Sequence, residues 1–163
     1  MFDQSEELLF LRQACQHAAE ASSDQQTQNG AVLVARTGQI VLAANTLPAI
    51  SFKEDRLVRP HKYQYIEHAE RNVIYAAAKR GICTEHATLY CPWFACTDCA
   101  RAIIQAGIRR VVGHIVPYMK TPVRWQDSVR LADEMLDEAG VLRAYKDDEL
   151  NVAFLFDGEL LEL

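Results

Sequence analysis

The sequence contains no run of eighteen apolar residues, which a membrane-spanning helix requires, so we expect no transmembrane segment and no membrane partner. Its first twenty residues include Asp3, Glu6 and Glu7 and lack the basic and apolar blocks of a secretory signal, which predicts a cytoplasmic protein. Internal repeats and low-complexity segments are also absent. With 163 residues, half of them apolar, the chain has the length and composition of a single compact domain, residues 1–163.

The chain has no excess of positive charge. Its formal net charge of −5 argues against a protein that coats nucleic acid, because neutralising phosphates requires a basic surface. The charge is uneven, however. Every charged residue between positions 109 and 124 is basic, whereas ten acidic residues from Asp133 onwards face only Arg143 and Lys146. A basic middle and an acidic tail fit a small anionic ligand better than a polymer.

The five cysteines cannot all pair, and a disulfide framework is not expected in a reducing compartment. Cys15 and Cys83 lie among alanines and isoleucines, which predicts small buried apolar side chains. Cys96 and Cys99 form a C-x-x-C motif at the start of a predicted helix.

Hydrophobic periodicity predicts alternating strands and helices. The predicted helices cover residues 5–22, 68–80, 97–107 and about 125–139. The predicted strands cover residues 31–35, 39–45, 87–91, 109–116 and 141–145. The first two strands read as a hairpin, and strands separated by helices imply parallel crossovers. The expected fold is therefore a three-layer α/β/α sandwich with a mixed five-stranded sheet.

Two stretches do not fit this alternation. Residues 46–64 read as an irregular loop, and a long loop in so small a domain is usually functional or mobile. The final stretch, "NVAFLFDGELLEL", is apolar enough to pack on the body of the chain or on a neighbour, and its position is left open.

His68, Cys96 and Cys99 are candidate metal ligands, because one imidazole and two thiolates suit zinc. Structural zinc sites usually have four protein ligands, whereas catalytic sites leave one position open for water. Cys91 is a candidate fourth ligand, but it ends a strand and is separated from the motif by four residues. Three ligands and an open position are therefore favoured. Glu70, two residues after the histidine, is placed to move protons rather than to bind the metal.

Each motif has another explanation when taken alone. A histidine at a helix start is usually a cap or a surface residue, and C-x-x-C in a cytoplasmic α/β chain can be a redox pair. Their occurrence before two successive helices, with a strand between them, favours the metal site.

These motifs resemble the zinc-dependent cytidine deaminase superfamily, whose signature is H-x-E…P-C-x-x-C. The flanking segments are most similar to the deoxycytidylate (dCMP) deaminases, from the first helix to about residue 145. The similar segments are "SSDQQTQNGAVLV", the Asn-x-x-Pro of "ANTLP", "RPHKYQYIEHAERNVIYAAA", "CTDCARAIIQAGIRRVV" and "RWQDSVRLADEMLDEAGV". Two features depart from the family pattern: Ala95 stands where proline is usual, and "VLAAN" replaces a glycine-rich stretch.

The resemblance implies a Zn²⁺ cofactor held by His68, Cys96 and Cys99, with Glu70 as the proton carrier. The implied reaction is attack of zinc-activated water on C4 of the cytosine ring, which converts dCMP to dUMP and ammonia. The other residues that the resemblance assigns are Asn45 for a sugar hydroxyl and Ala69, Pro92 and Trp93 for the base pocket. The resemblance also implies a homo-oligomer.

A monophosphate substrate needs cationic partners. The side chains expected to bind it are Arg56, Arg59, Lys62, Tyr118 and Arg124, with Lys53 and Lys120 as further candidates. Any one of them could simply form a surface ion pair, but as a group they favour a phosphorylated substrate.

Other functions remain open from the sequence alone. The same zinc centre could deaminate cytosine, cytidine or guanine. A tRNA or single-stranded nucleic-acid deaminase is disfavoured by the acidic charge. A structural zinc protein without activity is the non-enzymatic alternative. We expect a small-molecule nucleotide as the partner and no nucleic acid.

Overall fold

The computed structural model describes residues 3–163 and contains a five-stranded sheet in the order β2-β1-β3-β4-β5. Its strands are β1 (Gly30–Val34), β2 (Ile40–Ala44), β3 (Thr88–Tyr90), β4 (Arg110–His114) and β5 (Leu142–Lys146). Strand β1 is antiparallel to β2 and β3, whereas β3, β4 and β5 are mutually parallel. The predicted mixed sheet is confirmed.

Six helices and one 3₁₀ turn accompany this sheet in the described part of the chain. They are α1 (Gln4–Ala21), a 3₁₀ turn (Glu54–Leu57), α2 (Lys62–Tyr65), α3 (Ala69–Lys79), α4 (Thr97–Gln105), α5 (Ile115–Met119) and α6 (Val123–Glu138). Helix α1 begins with a capping box between Asp3 and Glu6. Glycines with positive φ follow the ends of α3, α4 and α6, because this conformation favours residues without a Cβ.

The sheet is covered on both faces. Side chains alternate along β1, so that Ala31 and Leu33 pack with α3, α4 and α6, while Val32 and Val34 pack with α1. All five residues of this strand are buried, as expected for a strand with helices on both sides. The predicted α/β/α layering is therefore confirmed.

The C-terminal stretch forms a second, two-stranded sheet. Strands β6 (Ala153–Phe156) and β7 (Glu159–Glu162) pair as a hairpin through Asp157 and Gly158, whose φ angles are 52° and 91°. Phe154 joins the core on the α1 side of the main sheet. The position that the sequence left open is thus on the body of the same chain.

Other sequence predictions need correction. The strand predicted to reach residue 116 ends at His114. The Nδ1 atom of His114 accepts the Val116 N–H, and this hydrogen bond caps α5, which begins at the next residue. The stretch predicted as irregular, 46–64, contains the 3₁₀ turn and most of α2. Cys15 is buried as predicted, but Cys83 is exposed, because it lies in the connection between α3 and β3.

Within residues 3–163 no helix is long and apolar enough to cross a bilayer.

Gly30 lets α1 approach β1 closely. A Cβ on this residue would lie 2.0 Å from the Ala14 carbonyl oxygen, which belongs to the helix backbone. We therefore expect Gly30→Ala to reduce the free energy of unfolding by about 2 to 3 kcal/mol, measured by urea denaturation, because helix and strand must separate. Gly38→Asn is the control: a Cβ there has open space, and asparagine tolerates its positive φ. Equal losses in the two variants would contradict this account.

Candidate metal centre and adjoining cavity

The candidate metal ligands lie where α3 and α4 begin. His68 immediately precedes α3, and Cys96 immediately precedes α4, both in an extended conformation. Strand β3 lies between the two helices in the chain, and crossover helices run antiparallel to the strands they join. Both helix N-termini therefore lie at the edge of the sheet where β3 ends, which is where α/β proteins commonly bind ligands.

The three ligand atoms are close enough to share one ion. His68 Nδ1 lies 3.5 Å from both Cys96 Sγ and Cys99 Sγ, and all three atoms lie within 4.8 Å of one another. Nitrogen at about 2.1 Å and sulfur at about 2.3 Å from a tetrahedral zinc ion are themselves about 3.6 Å apart. The donor set and its spacing thus fit a tetrahedral metal with three protein ligands. Cys91 is not part of this group, since its thiol lies 3.3 Å from the Trp93 carbonyl oxygen.

The surroundings favour a negative charge on this pair of cysteines, mainly on Cys96. Hydrogen bonding with Cys99 lowers the pKa of Cys96 to about 3, whereas burial raises the pKa of Cys99. Arg71 Nη1 lies 3.5 Å from Cys99 Sγ and 4.0 Å from Cys96 Sγ, and the same guanidinium pairs with Glu67. A fixed cation beside two sulfur ligands reduces the charge repulsion between them.

Glu70 lies in the first turn of α3 and is buried, with 2% of its surface exposed. Among the described residues, nothing forms a hydrogen bond with its Oε2 atom. Burial raises the pKa of this carboxyl group, because its charged form loses hydration. A carboxyl group with a free oxygen and a raised pKa can both accept and release a proton during a reaction.

A cleft of about 650 Å³, including the open space at its mouth, adjoins these residues. Aromatic side chains form much of its wall. The Trp125 ring meets Trp93, Tyr63 and His68 edge to face, with centroid distances of 6.3, 5.6 and 5.8 Å. Trp93 is fixed further by a hydrogen bond from Nε1 to Thr121 and by contact with Phe156 of the C-terminal hairpin. The cleft therefore offers rigid apolar surfaces suited to a planar ring.

A buried ion pair forms another side of the cleft. Lys62 Nζ lies 2.8 and 2.7 Å from the two carboxylate oxygens of Asp24, and both side chains are more than nine-tenths buried. Asp24 also accepts the backbone N–H groups of Gln26 and Thr27. Much of the Lys62 charge is thus neutralised within the protein.

The mouth of the cleft contains a cluster of two arginines and one aspartate. Asp157, in the turn of the C-terminal hairpin, accepts hydrogen bonds from both Arg59 and Arg124. The two guanidinium groups share one carboxylate, so the cluster carries a formal charge of +1. Arg124 itself lines the cleft.

The structure brings most of the predicted site residues together. Those that line the cleft are Asn45, Lys62, His68, Ala69, Glu70, Trp93, Cys96 and Arg124. Arg59 stands beside them through Asp157.

The remaining candidates are outside the lining of the cleft. Pro92 is buried, and its carbonyl oxygen accepts the His114 N–H. The Arg56 guanidinium lies 4.8 Å from the centre of the Tyr65 ring. The Tyr118 hydroxyl group donates to Asp133. Lys53 and Lys120 are exposed.

Sequence reasoning missed several residues of the cleft, namely Asp24, Asn29, Tyr63 and Trp125. The first two fall between the predicted helix 5–22 and the predicted strand 31–35, where the sequence predicts no regular element. Only the position of Asn29, directly before a buried strand and beside the end of the strand that pairs with it, could have indicated a site. Arg71 was also missed, although its helical spacing places it one turn from His68.

Comparison with known proteins agrees with this geometry. The family model described as the cytidine and deoxycytidylate deaminase zinc-binding region matches residues 4–115. The deoxycytidylate deaminase of Enterobacteria phage T4 is 33% identical over 119 residues, which cover 72% of this chain and 61% of that protein. The human deoxycytidylate deaminase is 30% identical over 134 residues, which cover 76% and 70% of the two chains.

A solved structure shares the fold. The dCMP deaminase of cyanophage S-TIM5, in complex with dCMP and dUMP, superposes with a TM-score of 0.70. The superposition covers 90% of this chain and 100% of that chain, at 22% sequence identity.

The metal centre can be tested through its cysteines. We expect Cys99→Ser to reduce the bound metal from about one ion per chain to below about a tenth, because two ligands hold a divalent ion poorly. Its melting temperature should fall as well. The measurement is elemental analysis of the freshly purified protein, together with thermal unfolding. Cys83→Ser, at an exposed cysteine, is the matched control and should retain the metal. A fully loaded Cys99→Ser protein would contradict the assignment.

Proposed function

This chain belongs to the cytidine and deoxycytidylate deaminase family, and we propose that it catalyses the zinc-dependent hydrolytic deamination of dCMP to dUMP and ammonia. In chemical class it is a hydrolase that acts on a cyclic amidine. The observation that carries the proposal is the buried Glu70, which lines the same cleft as the candidate metal ligands His68 and Cys96 and has a free oxygen.

His68, Cys96 and Cys99 are the residues that would hold zinc, and their spacing fits that ion. When bound, zinc supplies the Lewis acidity that makes water nucleophilic at neutral pH. Glu70 takes one proton from the attacking water and delivers it to N3, where it stays in the product. It then takes the second proton from the new hydroxyl group on C4 and delivers it to the amine, which leaves as ammonia. Its raised pKa makes the carboxylate a stronger proton acceptor than an exposed glutamate.

The apolar part of the cleft fits the base. The Trp93 and Trp125 rings stand at 82° to each other, and together they offer flat surfaces that exclude water from a planar ring. The N-terminus of α3 supplies the backbone of Ala69 at the same place, as the family resemblance implies for the base pocket. A pyrimidine held here would present its edge to Glu70.

The arginine cluster at the mouth supports a phosphorylated substrate. Arg124 and Arg59 share Asp157, so an arriving phosphate meets two guanidinium groups that are already ordered. Lys62 contributes less, because Asp24 neutralises it. The names of the phage T4 and human relatives, and the dCMP and dUMP bound to the cyanophage enzyme, agree with a nucleotide substrate.

A nucleoside or free-base deaminase is the nearest alternative, since the metal ligands and Glu70 would serve it equally well. The arginine cluster disfavours it, because an uncharged ligand makes no use of this charge. The homo-oligomer implied by the resemblance and the cytoplasmic location remain predictions.

Glu70→Gln tests the chemistry. We expect ammonia release from dCMP to fall about 10³-fold or more while the metal is retained, because the amide cannot move the protons that the reaction requires. Turnover is measured by coupled ammonia assay, and metal by elemental analysis. Glu85→Gln, at an exposed glutamate, is the control and should keep full activity. Wild-type protein that releases ammonia from cytidine but none from dCMP would overturn the proposed substrate.

Arg124→Ala tests the phosphate site. We expect kcat/KM for dCMP to fall about 10- to 100-fold, because one charge-assisted pair with the phosphate is lost. The activity on deoxycytidine, which has no phosphate, should change less than about threefold. Arg130→Ala is the matched control, since Arg130 is an exposed arginine of the same helix that pairs with Glu134. An equal loss on both substrates would show that Arg124 acts on the fold or the chemistry instead.

A further inference from the structure

Asn29 is a buried polar residue of the cleft to which the mechanism above gives no role. It directly precedes β1, at the edge where β2 ends and Asn45 follows. Its side chain is 7% exposed and lines the same cleft as Glu70. The backbones of Asn29 and Asn45 are joined, because the Asn29 carbonyl oxygen accepts the Asn45 N–H at 2.9 Å.

The orientation of the Asn29 amide is fixed by its partners. The group facing the Trp93 carbonyl oxygen, at 2.8 Å, must be the NH₂ group, because a carbonyl oxygen can only accept. The same nitrogen lies 3.3 Å from Cys91 Sγ. Oδ1 therefore points elsewhere, and within residues 3–163 it has no hydrogen-bond partner.

The neighbouring Asn45 differs in this respect. Its Oδ1 already accepts two hydrogen bonds, from Ser22 Oγ at 2.6 Å and from the Asn29 backbone N–H at 2.8 Å. Its Nδ2 donates to the Thr27 carbonyl oxygen and has one N–H left. Of these two asparagines, Asn29 thus provides the free acceptor and Asn45 the free donor.

A buried acceptor without a partner costs free energy unless a ligand supplies the donor. A cytosine nucleotide has only two kinds of donor, the exocyclic amine and the sugar hydroxyl group. The amine is the leaving group and receives a proton from Glu70, so it belongs at the reacting centre. The base oxygen and the phosphate are acceptors, which Oδ1 would repel. The sugar hydroxyl group is therefore the donor that fits.

We propose that Asn29 Oδ1 is a substrate-binding atom that accepts a hydrogen bond from the 3′-hydroxyl group of the nucleotide, while Asn45 Nδ2 donates to the same oxygen. This assignment rests on the proposed function, because the 3′-hydroxyl is the only free hydroxyl on the sugar of dCMP. It extends the role of Asn45 from a single contact to half of a donor–acceptor pair.

The pair also selects against polymers. In a nucleic-acid strand the 3′ oxygen of an internal nucleotide is esterified, so it has no proton to donate. Such a nucleotide would leave Asn29 Oδ1 unpaired and add an acceptor beside it. Asn29 therefore favours the free nucleotide over a cytosine within a strand.

The test compares dCMP with 2′,3′-dideoxycytidine 5′-monophosphate, which lacks only the 3′-hydroxyl group. For the wild-type protein we expect kcat/KM to be about 10- to 100-fold higher for dCMP, because the analogue leaves Oδ1 unpaired. Asn29→Leu, which has a similar shape and no acceptor, should reduce this preference to less than about threefold. Asn72→Leu is the matched control: Asn72 is a part-buried asparagine bonded to the Ala44 carbonyl oxygen, and its variant should keep the wild-type preference.

Each result is decisive. A wild-type preference near one, or an Asn29→Leu protein that keeps the full preference, would overturn the assignment. Failure of the zinc-loaded wild type to deaminate dCMP at all would instead overturn the proposed function. If Asn29→Leu does not fold, a crystal structure of the wild-type protein with dUMP decides: the 3′ oxygen should lie within about 3.2 Å of Asn29 Oδ1. A separation beyond hydrogen-bond distance would contradict the proposal.

Discussion

The antiparallel pairing of β1 with both of its neighbours, β2 and β3, is the constraint on which the rest of the site depends. It brings the start of β1 to the same edge of the sheet as the ends of β2 and β3. The two crossover helices on either side of β3 begin at this edge as well. Asn29, Asn45, His68 and Cys96 come from four separate parts of the chain, and each lies next to the end of a strand or helix there. Main-chain pairing thus determines which side chains meet.

The environment at this edge combines low hydration with fixed positive charge. Arg71 and the N-termini of α3 and α4 favour anionic sulfur, whereas Glu70 is surrounded closely enough for burial to raise its pKa. These opposite effects operate within one turn of helix, because Arg71 follows Glu70 directly and its side chain leaves the helix about 100° further round. The cores on both faces of the sheet hold the arrangement rigid, and rigid dipoles need no reorganisation during a reaction.

Sequence patterns were sufficient for the sheet, the main helices and the group formed by His68, Cys96, Cys99 and Glu70. These features depend on periodicity and on short motifs, which can be recognised directly in one sequence. The pairing of Lys62 with Asp24 and of Arg59 with Asp157 could not be predicted, since the partners are 38 and 98 positions apart. The C-terminal hairpin did have a local signal that was overlooked, because Asp-Gly between apolar runs is a strong hairpin turn.

The candidate metal ligands and part of the mouth of the cleft are encoded in different parts of the chain. The family model covers residues 4–115, which include the candidate metal ligands, Glu70 and both asparagines of the cleft. Arg124, Trp125 and the hairpin residue Asp157 all lie beyond it. Arg59 is the member of the mouth cluster that lies within the matched region, so the two regions of the chain meet at Asp157. Exchanging the last third of the chain for that of a relative would alter which molecules reach Glu70 while the metal ligands stayed in place.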